Sequence, residues 1–202
     1  MIRQNIKNKQ GFTIIEVVLV LAIAGLIFLM VFIALPALQR SQRDTQRRND
    51  YSMLSSAITS FSTSNQGKLY RLAGANKATE ETCLQLSASK YINADGADPN
   101  GQGYQVWACT WKGWLANKSG KLSGKPTAAS STKNEDGTTT VTSVASAPQP
   151  ESRYVFVVLN ANCNGYYAEK GYSVPAYTSS SRAFAIYGYT EGGSGTYCSA
   201  SQ

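Results

Sequence analysis

The chain has no histidine among its 202 residues. That removes the side chain most often used as a general base near neutral pH and as a metal ligand, and leaves any catalysis to Cys, Asp, Glu or Tyr. Its four cysteines, Cys83, Cys109, Cys163 and Cys198, form no C-x-x-C pair, so neither a zinc site nor a dithiol redox centre is indicated. Charged residues are only 15% of the chain, and no long basic block marks a nucleic-acid surface. A secretory cleavage pattern is missing as well: Ala34-Leu35-Pro36-Ala37 is a poor match to the small-residue type that follows the apolar region of an ordinary signal. No enzyme and no cofactor is expected.

What is present is very unevenly placed. Phe12 to Leu35 is one apolar run of 24 residues, interrupted by Thr13 and Glu16, while everything after Gln39 reads as water-soluble protein. As a helix the run is about 36 Å long, enough to cross a hydrocarbon core of about 30 Å. The net charge of +7 includes Arg3, Lys7 and Lys9 ahead of the run. Arg40, Arg43, Arg47 and Arg48 follow it, partly offset by Asp44 and Asp50, so the basic residues alone do not set the orientation. The cysteines do: four in a head of this size read as two disulfides, which persist outside the cytoplasm.

The most informative stretch is Lys9-Gln10-Gly11-Phe12-Thr13-Ile14-Ile15-Glu16, a basic segment, then Gly-Phe, then an apolar helix with one acid near its start. This resembles the type IV pilins and related pseudopilins, whose GFTxxE pattern joins a basic leader to an apolar helix; the detailed resemblance covers about the first 50 residues. The resemblance implies that a prepilin peptidase cuts between Gly11 and Phe12 and methylates the new amino group of Phe12. It also implies partners: other pilin subunits, a pilus assembly platform and the membrane. Family filaments often loosen the helix between a glycine and a proline, which here points to Gly25 and Pro36, the latter slightly later than usual.

Glu16 is informative on its own. A carboxylate within a membrane span costs about 2.5 to 3.5 kcal/mol, so it needs a partner or a use. Either its side chain reaches the headgroups, or it pairs with a neighbour's Phe12 amino group, neutralising two costly charges together. The resemblance associates this acidic position with assembly.

Beyond Pro36 the chain turns polar, and Tyr51, Leu54, Ile58 and Phe61 recur at helical spacing as the core face of a spine that ends near Gln66-Gly67-Lys68. A second short helix is expected over Thr79–Leu86. The turn segment from Asn93 to Gly101 carries Asn93, Asp95, Asp98 and Asn100, oxygen donors for calcium in principle, but it lacks EF-hand spacing and the closing Glu. Strands are expected at Tyr104–Trp111, Arg153–Leu159 and Arg182–Thr190. Between Trp114 and Pro150 a polar, small-residue segment predicts a long loop or hairpin that buries little. The fold class is therefore α+β: a long N-terminal helix packed on an antiparallel sheet, divided as leader 1–11, membrane and assembly helix 12–36, spine 37–65 and head 66–202.

Of three cysteine pairings, Cys83 with Cys109 and Cys163 with Cys198 close the local excursions, worth about 3 to 4 kcal/mol each in the loop-entropy model. The second resembles the C-terminal disulfide loop of many pilins. Tyr166, Tyr167, Tyr172 and Tyr177 within it could serve as an adhesive surface or simply pack. The expected function is a structural pilus subunit, serving adhesion, twitching motility or DNA uptake; the rivals are a secretion pseudopilin, a single-span anchored binding protein that never polymerises, and a DNA receptor.

Overall fold

A computed structural model describes residues 11–86, 98–122, 131–133, 139–141, 150, 152–167, 172–193 and 195–201. Residues 1–10 of the basic leader and the turn residues Asn93 and Asp95 lie outside them. The chain divides into two compact units, Met1–Arg40 and Ser41–Gln202.

In the first unit the apolar run is helical, the start of α1 (Ile14–Ser64), which is assigned without a break through Gly25 and Pro36. Its large side chains are exposed all round, from Phe12 at 89% to Leu38 at 58%. An apolar surface on every side cannot rest in water and requires lipid or other helices around it. Among the described residues this is the helix long and apolar enough to span a membrane.

The second unit begins within α1. Tyr51, Leu54 and Ile58 are buried on one face, spaced by three and four residues as the sequence pattern requires. The opposite face is rich in hydroxyls, several of which donate to carbonyls four residues back, such as Thr59 to Ser55 and Thr63 to Thr59. Just past the end of the helix Gln66 is in left-handed conformation at φ 57°, and the Gly67 N–H donates to the Ser62 carbonyl at 2.8 Å. That six-residue closure satisfies one of the orphan carbonyls of the last turn.

A short 3-10 turn (Leu69–Ala73) then leads to β1 (Cys83–Leu86), β2 (Gln105–Thr110), a short helix α2 (Trp111–Leu115), and β3 (Ser131–Lys133) paired with β4 (Thr139–Val141). Strands β5 (Tyr154–Leu159), β6 (Ala161–Tyr167), β7 (Tyr172–Tyr177), β8 (Phe184–Tyr189) and β9 (Thr196–Ala200) follow. The main sheet has the order β1-β2-β5-β8-β9. It is antiparallel except between β2 and β5, which run parallel. A mixed sheet follows from the long connection carrying α2 between those two strands, since parallel neighbours need a crossover rather than a tight hairpin.

Both faces of the sheet are covered. Val106, Ala108, Val155, Val157, Leu159 and Ile186 meet α1 and the 3-10 turn. Phe156, Val158, Tyr154 and Tyr187 meet Trp114 of α2 and Val174 of the β6–β7 hairpin. Hence β5 is buried at every position, which explains why Tyr154-Val155-Phe156-Val157-Val158-Leu159 is continuously apolar rather than alternating.

One expectation changes. The segment Thr79–Leu86 is not a helix: its last four residues pair with β2, and Cys83 faces Cys109 directly in register. Cross-strand pairing and the disulfide there outweigh a weak local helix preference. At the start of the polar segment Trp114 is fully enclosed, edge-on to Tyr187 at 6.1 Å, and Leu122 is also buried, while most of the segment beyond it lies outside the described residues. One large aromatic in a short helix fixes that stretch to the sheet. Both favoured disulfides are present, Cys83–Cys109 with Cα atoms 4.1 Å apart and Cys163–Cys198 at 5.8 Å. The second ties the β6–β7 hairpin to β9.

Candidate assembly site and a charged clasp in the head

Helices begin with unsatisfied backbone N–H groups, and the sequence Thr13-Ile14-Ile15-Glu16 supplies two acceptors at the right spacing. The Thr13 N–H and the Thr13 hydroxyl both donate to Glu16 Oε2, each at 2.8 Å. In return the Glu16 N–H donates to Thr13 Oγ1 at 3.4 Å. This is a capping box. It places an anionic side chain at the positive end of the helix dipole and gives the carboxylate two donors, which lowers the cost of holding it in apolar surroundings. The bonds engage Oε2, and a carboxylate with about four acceptor positions retains capacity for a cation.

Gly11 and Phe12 precede this turn and are exposed. Chain cleavage between them would put a new ammonium group within one helical turn of Glu16. The structure thus brings Gly11, Phe12 and Glu16 together at one end of α1, whereas Gly25 and Pro36 lie further along it and the cysteines lie in the head. The Thr-x-x-Glu spacing is itself a helix-start signal in the sequence, and it identifies a role for Thr13 that the apolar pattern conceals.

A second cluster lies at the start of the head's helix. Asp44 and Arg47 occupy the buried stripe that continues as Tyr51, Leu54 and Ile58. Arg47 is fully enclosed. Its Nε donates to Asp98 Oδ1 at 2.7 Å, its Nη1 to Asp44 Oδ1 at 2.9 Å and its Nη2 to Glu191 Oε1 at 2.8 Å. Arg43 grips Glu191 from the other side through Nε and Nη2. Asp44 in turn accepts from the backbone N–H groups of Glu191 and Gly192 at 2.8 and 2.7 Å. The guanidinium of Arg47 also lies 5.2 Å from the centre of the Tyr189 ring, and Tyr51 donates to the Tyr189 carbonyl.

The electrostatics follow from these contacts. Hydrogen bonds from Arg43 and then Arg47 hold the Glu191 carboxyl down at about 2. Burial pushes Asp50 up, although Tyr104 donates a hydrogen bond to it at 3.0 Å. Asp98, a candidate calcium ligand by sequence, is committed to Arg47 and to the turn it begins, where it accepts from the Asn100 N–H. Among the described residues no group of three acidic, Cys or His side chains is arranged to hold a metal. Tyr177 is 48% exposed; Tyr166, Tyr167 and Tyr172 lie on the hairpin strands.

Residues 6–32 match a family model described as the prokaryotic N-terminal methylation motif. The match spans the basic segment, Gly11, Phe12, Glu16 and most of the apolar run, the type IV pilin and prepilin signature. No curated protein and no solved structure matches the chain.

Proposed function

We propose that this chain, a type IV pilin-like precursor by its N-terminal signature, is a non-enzymatic structural subunit that polymerises through α1 into a pilus-like filament. The observation that carries the reading is the coincidence of the methylation motif with a helix whose large apolar side chains are exposed on every side among the described residues. Prepilin peptidase cuts after Gly11 and methylates Phe12. Until assembly the subunit sits in the cytoplasmic membrane as a single-pass protein with its head outside, where the two disulfides persist; afterwards the same apolar helix packs among its copies in an extracellular filament.

Glu16 has two successive partners in this scheme. In the isolated subunit the Thr13 donors hold it; in the filament a neighbour's Phe12 ammonium adds to them, using the remaining acceptor positions. Adhesion, motility or uptake of DNA would then depend on what the head touches.

The test is co-expression of wild-type chain with Gly11→Val or Glu16→Ala variants, scoring processing and the variant's presence in sheared filaments. Gly11→Val should remain uncut. Glu16→Ala should be cut and yet be at least tenfold depleted from filaments. Normal incorporation of both would remove the basis for the reading.

A further inference from the structure

Four arginines, Arg40, Arg43, Arg47 and Arg48, follow the apolar run within 13 residues of Leu35. A cation held at an acidic lipid surface gains about fivefold in residence, the equivalent of about 1 kcal/mol. Four in succession would hold the chain at the bilayer. In the folded head, however, Arg47 is enclosed and shared among Asp98, Asp44 and Glu191, and Arg43 is paired with Glu191. Arg47 is withdrawn from the surface, and Arg43, still 32% exposed, has its charge taken up by Glu191.

These partners are remote in sequence. Asp98 is 51 residues beyond Arg47, and Glu191 is 144 beyond it. Glu191 lies in the turn between β8 and β9, which docks on α1 through the Asp44 carboxylate. The clasp is therefore complete only when the C-terminal part of the head has folded. Stability alone does not explain its chemistry. A buried ion cluster is often no more stabilising than apolar residues of similar size, and positions 44 and 47 simply continue the stripe that carries Tyr51, Leu54 and Ile58.

We propose that the clasp is a conditional charge mask. With the β8–β9 turn undocked, Arg43 and Arg47 are available to acidic phospholipid headgroups and retain the subunit in the bilayer. With the turn docked they are occupied, and the subunit is released more readily. Unfinished heads stay with the membrane and finished ones can leave it. What release serves rests on the filament reading; the masking belongs to the membrane-anchored chain itself and can be tested without filaments.

The full chain is placed in bilayers of phosphatidylcholine with or without phosphatidylglycerol, and its residence is measured while the head is pulled at constant force. Wild type should show a small ratio between the two lipids. Asp98→Asn with Glu191→Gln should raise that ratio on the order of tenfold at low salt. Adding Arg43→Gln and Arg47→Gln should bring it back to the wild-type value or below, although these changes damage the head further. A loss of stability alone would not be reversed in this way. An unchanged ratio in the first variant, or an increase that survives removal of the arginines, overturns the proposal.

Discussion

Arg47 and Asp98 meet at 2.7 Å with neither side chain exposed to solvent. One comes from the helix that leaves the apolar segment and the other from the turn before β2, so this contact fixes a loop of the head to its spine. Removing Asp98 leaves the buried Arg47 with Asp44 and Glu191 as its remaining partners, so the loss should fall below the roughly 3 to 5 kcal/mol of an isolated buried pair broken outright, yet above that of an exposed contact. Asp98→Ala should accordingly lower the head's unfolding midpoint in urea far more than Arg48→Ala, since Arg48 is exposed beside Tyr197. Equal effects would show that the pair contributes no more than a surface contact.

The Glu191 carboxyl gives the head an acid-sensitive element. Its value in the folded chain is about 2 against an ordinary 4.5. Because the folded value is the lower one, its contribution is fully present above about 4.5 and is lost as pH falls towards 2. Asp50, raised by burial, acts in the opposite sense. Unfolding free energy measured between pH 6 and pH 2, about the span of these titrations, should fall less steeply in Glu191→Gln than in wild type, and that variant should be less stable at neutral pH. Parallel curves would exclude Glu191 as the titrating group.

Gln66 closes α1 at φ 57°, a conformation that costs little for glycine and more for a side chain with a Cβ. Gln66→Gly should raise stability by about 0.5 to 1 kcal/mol. A decrease in thermal midpoint would mean that the Gln66 side chain holds something in the groove beside Ser62 and Arg182 that it helps to line.

Much of the architecture is legible because periodicity is local. The run from Phe12 to Leu35, the stripe at Tyr51, Leu54 and Ile58, and the apolar strand at Tyr154–Leu159 each announce themselves within a few turns or residues. The paired cysteines follow from loop closure. What the sequence conceals depends on distant partners. The spacing of Asp44 and Arg47 continues the stripe of Tyr51, Leu54 and Ile58, but their charges suggest solvent, and only the distant Asp98 and Glu191 make their burial tolerable. Cys83–Leu86 resembles a helical segment until β2 lies beside it. The parallel pairing of β2 with β5 likewise depends on the route of the intervening chain. At the N-terminus the balance is reversed: Gly11, Phe12 and Glu16 are plain in sequence, and the structure adds the hydrogen bonds from Thr13.

In the proposed function Phe12 becomes the first residue of a subunit that leaves the membrane in a filament. The most direct measurement is mass spectrometry of the N-terminal peptide from sheared surface filaments and from the membrane fraction. The expected result is N-methylated Phe12 in both, with the sheared fraction carrying the intact helix. A chain in the sheared fraction that begins at Met1 or beyond Leu35, or the complete absence of the chain from that fraction, would contradict it.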